Sequence, residues 1–213
     1  PSDTTPKALE KVGDRLLASS HFGERRGRHW RDVVRYAESN GMERNAAFPH
    51  AWRYRDYVID SFNSDKPFDE FIKEQIAGDL MPGATRRQRI ASGYNRLLQT
   101  TEEGGAQADE YVTIYQADRV RNFGNVWLAA TTGCAQCHDH KYDPITTKDF
   151  YSLAAFFADI KEKILGRRAP NFKVPSTTAR EWLQPVQKEN EELLAIKKKY
   201  ESLQLEKGEW KGW

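Results

Sequence analysis

The sequence predicts an all-α fold closed by a C-terminal extension helix. Three observations carry that reading. Apolar residues recur every three or four positions through most of the chain, alternating runs of β-branched residues are nearly absent, and Gly, Pro and Asn punctuate the intervals. A first helix is expected over about 6–18, with Leu9, Val12, Leu16 and Leu17 at helical spacing, and Ser19-Ser20-His21-Phe22-Gly23 breaks it. A second, about 24–38, sets Trp30, Val33, Val34 and Ala37 on one side. His29 borders that stripe through Val33, one turn on.

Residues 39–49, with Asn40-Gly41, read as a loop, and 51–62 as a third helix rich in aromatics. Pro67 opens a fourth helix in the position where its missing N–H does no harm; Phe68, Phe71, Ile72 and Ile76 share a face, and Met81-Pro82-Gly83 ends it. A fifth covers about 86–98. After a polar loop at 100–107, a long helix runs from about 109 to 131 toward the cysteines. Thr146 and Asp149 approximate a capping box ahead of Phe150, Leu153, Phe156 and Phe157. The expected organisation is a helical domain over 1–165, a linker over 166–175 and a charged extension helix over 176–213. In the extension, Leu193, Leu194 and Ile196 fall at roughly helical intervals, with potential for self-association, and Lys197-Lys198-Lys199 reads as a solvated face.

Composition narrows the function. A chain of 213 residues suits one domain plus an extension, and 38% hydrophobic with 12% aromatic residues excludes intrinsic disorder despite a mean hydropathy of −0.80. Lys and Arg total 33 against 31 Asp and Glu, a net charge of +2, so no excess charge points to nucleic acid. No apolar run approaches the roughly 18 residues of a membrane span. Pro1-Ser2-Asp3-Thr4-Thr5 has neither the basic nor the apolar region of a signal peptide, so the chain is expected to be processed or a fragment.

The cysteine pattern is the sharpest signal. The chain has 2 cysteines, and they fall in Cys134-Ala135-Gln136-Cys137-His138. CxxCH is the attachment signature of c-type haem: both thiols add to the vinyl groups, and the following His is placed under the iron as proximal ligand. The rival chemistries are weaker. A thioredoxin-type CxxC needs a βαβ setting, and a structural zinc site needs a second pair of ligands beyond Cys134, Cys137 and His138 or His140.

The chain also resembles the planctomycete-specific cytochrome family, in its second cytochrome-type domain. The resemblance is carried in order over about 8–160 by His21-Phe22-Gly23-Glu24-Arg25, Arg28-His29-Trp30, Arg35-Tyr36-Ala37, Ala51-Trp52-Arg53-Tyr54, Ala77-Gly78-Asp79-Leu80 and Cys134 to Ile145. It implies an all-helical, extracytoplasmic domain holding one covalent haem c, found in longer proteins beside a smaller cytochrome c domain. Cys134 and Cys137 match the family's haem-attaching cysteines and His138 its proximal ligand, while His21, His29 and His140 match recurrent histidines without an assigned role. Arg26 stands where the family carries Trp, and Arg31 where it carries Leu.

What sits above the iron decides the chemistry, since a closed six-coordinate iron shuttles electrons and an open one reacts with small ligands. His29 is the leading candidate for that distal position, His21 the second; Met81, Met42 and His50 are further options. His140 lies too near the proximal ligand to reach the opposite face, and with Asp139 and Asp143 it can orient the loop or meet a propionate. Arg25, Arg28, Arg35, Arg53 and Arg55 are candidate propionate partners. The expected function is extracytoplasmic electron transfer with a redox partner protein or a neighbouring cytochrome domain. The alternatives are a haem oxidase or peroxidase with an open distal site and, more weakly, a structural zinc module.

Overall fold

The computed structural model describes residues 5–41, 44–166, 168 and 190–199. The chain divides into two units, Pro1–Arg168 and Ala169–Trp213. In the second, 190–199 is helical with every residue exposed; the expected linker and the rest of the extension lie outside the described residues, as does Met42. The first unit is built from α1 (Ala8–Leu17), α2 (His21–Val33), α3 (Trp52–Asn63), α4 (Phe68–Ala77), α5 (Arg86–Ala91), α6 (Ala108–Trp127) and α7 (Thr147–Ala155). Two 3₁₀ turns, Ser92–Arg96 and Thr132–Gln136, join them. The all-α expectation holds: among the described residues pairing of β type is confined to an isolated bridge between Ser39 and Ala47.

Local differences have physical causes. Gly23, read as a breaker, lies inside α2, which starts at His21. A Cβ there would come within 2.4 Å of the Ile59 carbonyl oxygen, and the Gly23 N–H donates to Asn63 Oδ1 at 2.7 Å. Gly23, with Gly27 one turn on, lets α2 lie against α3, so the glycines serve close approach rather than termination. At its other end α2 stops at Val33. Arg35 takes a left-handed conformation (φ 63°), its N–H returning to Asp32 and that of Tyr36 to Arg31 at 2.9 Å, which satisfies two terminal carbonyls. The Thr146 and Asp149 pair forms a complete capping box at the start of α7.

Burial falls into two clusters, and α6 contributes to both. The first gathers Val34, Tyr54, Tyr57, Val58, Phe71, Ala91 and Tyr94, with Trp30, Val126 and Trp127 packed against it. The second holds Ala117, Val120, Ala135, Phe150, Ala154 and Phe157. The two clusters take residues from different stretches of α6: Ala117, Val120 and Phe123 join the second, and Val126 and Trp127 at its C-terminal end pack against the first. By contrast α1 buries no residue, and Leu9, Leu16 and Leu17 are all exposed.

Polar groups inside the first cluster are paired. Gln75, fully buried, accepts from Trp30 Nε1 at 3.1 Å and from the Tyr54 hydroxyl. Glu74 accepts from the Tyr57 hydroxyl at 2.8 Å and pairs with Lys66 Nζ at 2.8 Å. Where the chain closes beyond α7, the Glu162 carboxylate lies between Arg119, at 2.7 Å, and Arg168, whose Nη2 approaches at 3.0 Å as an ion pair; all of these side chains are buried. Arg168 also lies over the Tyr115 ring at 4.9 Å.

Burial pushes the Glu74 carboxyl up, but the Lys66 ammonium and the Tyr57 phenol outweigh it and hold it below the usual carboxylate range. A depressed folded-state value contributes stability that is complete above the unfolded-state value and is lost as pH falls through the folded one. Thermal melts of the wild type should therefore lose Tm on acidification through that window, and Glu74→Gln, less stable at neutral pH, should lose less over the same range. Parallel slopes would exclude Glu74 as a source of acid sensitivity.

Candidate functional site

The Cys134–His138 segment is fixed from beneath. α6 ends at Trp127, earlier than its expected run to 131, and the chain reverses through Ala129 in a left-handed conformation (φ 50°). The Ala130 N–H returns to the Gly124 carbonyl at 3.0 Å. Thr132, buried, donates its hydroxyl to the Val120 carbonyl at 3.1 Å. This docking needs Gly124: a Cβ at that position would meet Thr132 Cγ2 at 2.4 Å and the Ala130 carbonyl oxygen at 2.9 Å.

The next residues form the 3₁₀ turn. The Cys134 carbonyl accepts from the N–H groups of Cys137 (3.3 Å) and His138 (3.4 Å), winding both back over it. Ala135, fully buried, enters the second cluster with Val120 and Phe150. Gln136 is pinned twice: its carbonyl accepts from the Tyr151 hydroxyl at 3.1 Å, and its side chain accepts from Arg121. With the two intervening residues anchored, Cys134 and Cys137 are both free thiols on the exposed side, and His138 is exposed beside them.

The two imidazoles of the loop carry opposite tautomers. His138 Nδ1 lies 2.8 Å from the Asp139 carbonyl oxygen. A carbonyl only accepts, so Nδ1 carries the proton and Nε2 keeps its lone pair free for a metal. His140 Nδ1 accepts instead, from the backbone N–H of Asp143 at 2.8 Å and of Tyr142 at 3.3 Å. With its own N–H bonded to the Ile145 carbonyl at 2.8 Å, His140 holds the loop's shape. Asp139 ties the loop to α7 by accepting from the Thr147 N–H at 2.8 Å. Of the roles open to His140, the contacts are those of loop orientation.

The distal candidates lie elsewhere. His29, the leading distal candidate, borders the apolar stripe but does not turn into the core: it is exposed, because Gly23, Gly27, Trp30 and Val34 supply the face of α2 that meets α3 and the first cluster. His21 is exposed at the start of α2, its Nδ1 2.8 Å from Glu24 Oε2, and that hydrogen bond and charge raise its pKa. α2 packs on α3 and α1, whereas the Cys134–His138 turn packs on α6 and α7. His50 is exposed, and Met81 is half-buried at the end of the fourth helical stretch. Among the suggested propionate partners, Arg35 pairs with Asp118, Arg55 with Glu38 and Asp56, and Arg53 lies 4.5 Å over Trp52. Among the described residues no group of three or more His, Cys, Asp or Glu side chains is arranged to hold a metal ion.

Sequence reasoning missed the supports: Gly124, Thr132, Arg121 and Tyr151. A glycine one helical turn before the end of a helix, followed by a Thr ahead of the motif, is the only sequence trace they leave.

Gly124→Ala should destabilise the domain by ~2 kcal/mol or more through overpacking against Thr132 and the Ala130 carbonyl, read as a lower denaturant midpoint. Ala129→Gly should stabilise the domain by about 1 kcal/mol, read as a higher midpoint, since glycine adopts the left-handed conformation without the Cβ penalty. No change in either variant would mean that the reversal tolerates a different path.

No helix among the described residues is long and apolar enough to cross a membrane. No curated protein and no solved structure matches the chain. A family model, PSCyt2, described as a protein of unknown function (DUF1549), matches residues 1–162, the span that carries α1 to α7 and the supports of the motif. Since that match covers well over half of the chain, the protein belongs to the PSCyt2 family.

Proposed function

We propose that the protein is a monohaem c-type domain that transfers single electrons outside the cytoplasm. The observation that carries the reading is the His138 tautomer: a proton fixed on Nδ1 by the Asp139 carbonyl leaves Nε2 available, beside two exposed thiols on the same turn. The donor set fits the group. Cys134 and Cys137 would hold the macrocycle by thioether bonds, and His138 would supply the proximal nitrogen. Bound there, a haem supplies an iron that cycles between ferrous and ferric states.

The chain's own contribution is positional. Ala135 and Gln136, anchored below, keep the backbone of the turn fixed while both sulfurs face outward. The Asp139 carbonyl orients the imidazole and raises its basicity, which favours the ferric state. His140 and Asp139 hold the following loop against α7, so the ligand's orientation is set by a network rather than by one bond. An electron donor or acceptor could approach the motif from solvent, and a redox protein or adjoining cytochrome domain is the class of partner that fits. Covalent haem attachment places the protein outside the cytoplasm, where maturation of c-type cytochromes operates in bacteria.

The test is an absorption spectrum of protein made with cytochrome c maturation factors, oxidised and dithionite-reduced, then with carbon monoxide and as a pyridine haemochrome. A c-type haemochrome whose reduced spectrum ignores carbon monoxide is expected, with haem lost in Cys134→Ser with Cys137→Ser. If His29→Ala or His21→Ala then admits carbon monoxide, that residue is the second axial ligand. A wild-type spectrum shifted by carbon monoxide would move the reading to an oxidase or peroxidase, and zinc without iron would overturn it.

A further inference from the structure

The first cluster contains a continuous file of oxidisable rings. Trp127 lies at the end of α6, where the chain turns toward Cys134. Its ring centroid is 5.1 Å from that of Trp30. The Trp30 Nε1 lies 3.3 Å from the Tyr54 hydroxyl, and the Tyr54 ring stacks on Tyr36 at 6.1 Å with an interplanar angle of 18°. The file ends at the half-buried Tyr36, whose hydroxyl donates to Glu38 Oε1 at 2.9 Å on the exposed loop.

Packing alone requires only that these rings be large and apolar. The terminus asks for more. A phenol loses an electron readily only if its proton leaves at the same time, which needs a base within hydrogen-bond reach. Tyr54 is bonded to the amide of Gln75, a poor base, while Tyr36 is bonded to a carboxylate that communicates with solvent. The Arg55 guanidinium pairs with the same Glu38 oxygen at 3.3 Å and Arg31 lies 5.6 Å from the Tyr36 ring, so the carboxylate is held in place next to the phenol. Burial, with the Glu38 hydrogen bond, raises the Tyr36 pKa, so the phenol holds its proton until it is oxidised.

We propose that Trp127, Trp30, Tyr54 and Tyr36 form a one-electron relay that carries oxidising equivalents from the C-terminal end of α6, the helix on which the motif turn packs, to Tyr36, with Glu38 as the proton acceptor. The relay rests on the haem reading with the distal side open, the arrangement in which a peroxide would be its natural oxidant. Of the two electrons and two protons that would turn one peroxide into two waters, the haem would supply one electron and the chain the other, drawn through the file from Tyr36. The Tyr36 proton passes to Glu38 and on to solvent, which leaves a neutral tyrosyl radical at the half-buried end of the file. A reductant in solution can quench that radical, which spares the buried rings.

The test does not need haem. The chain's 2 cysteines permit a ruthenium polypyridyl photo-oxidant to be tethered at Cys137 in the full chain carrying Cys134→Ser. Tyr142→Phe and Tyr151→Phe in the same background remove the exposed tyrosines nearest the tether. Flash oxidation with an external quencher should give a neutral tyrosyl radical by electron paramagnetic resonance. Tyr36→Phe should abolish the signal, Trp30→Phe should slow its appearance, and Glu38→Gln should slow it and remove its dependence on deuterated solvent. Circular dichroism confirms that each variant is folded. A radical that persists in Tyr36→Phe, or whose rate ignores Trp30→Phe, would overturn the relay and leave the haem reading standing. Haem absent from wild-type protein made with maturation factors, together with a relay in the tethered variant, would do the reverse.

Discussion

Thr132 reaches its place only because residue 124 has no side chain. That absent Cβ is the constraint on which the functional end of the molecule depends, since it sets how closely the returning chain can approach α6. The Thr132 hydroxyl then satisfies a helix carbonyl, Ala135 enters the second cluster, and the thiols face out as a consequence. The motif's chemistry is carried by side chains, but its geometry is carried by a helix surface that contributes no reactive group. The same logic operates at Gly23, where a missing Cβ admits α3. In both places the sequence gives up helix propensity, about 1 kcal/mol per glycine, to gain a closer contact.

The two clusters differ in kind. The second is apolar and small, suited to holding a turn still. The first is threaded with hydroxyls, an amide and an indole N–H that satisfy one another, with Gln75 receiving two of them. A buried amide left without partners would cost on the order of 1–3 kcal/mol, so such a network is tolerable only when complete. Completeness brings uniqueness: Trp30, Tyr54 and Gln75 have one arrangement in which every donor is met, which fixes how α2, α3 and α4 meet. α1 has no such lock and lies outside both clusters.

Helix existence was legible because the 3.6-residue period is a property of the chain itself, and the Thr146 and Asp149 capping box could be read from two letters three apart. Ends were less legible. Gly23 looks identical as a breaker and as a contact point, because the difference lies in Ile59 and Asn63, far along the chain. Arg35 and Ala129 adopt left-handed conformations that favour glycine, so no letter announced where α2 and α6 stop. At the site, CxxCH named the thiols and the imidazole by spacing alone. The direction of His29 could not be had that way: a residue bordering an apolar stripe can fall on either side of it, and the neighbour that decides is α3. The supports at Arg121 and Tyr151 belong to other elements and have no local signature.

The buried Glu162 carboxylate is the last residue of the family match, yet one of its two guanidinium partners, Arg168, lies beyond that match. The stretch shared with relatives and the stretch that neutralises its own interior charge therefore have different ends. Inheritance draws the boundary at the carboxylate, electrostatics a few residues later. A fragment trimmed to the former would keep a charge that the intact unit never exposes, with half of its counterions discarded.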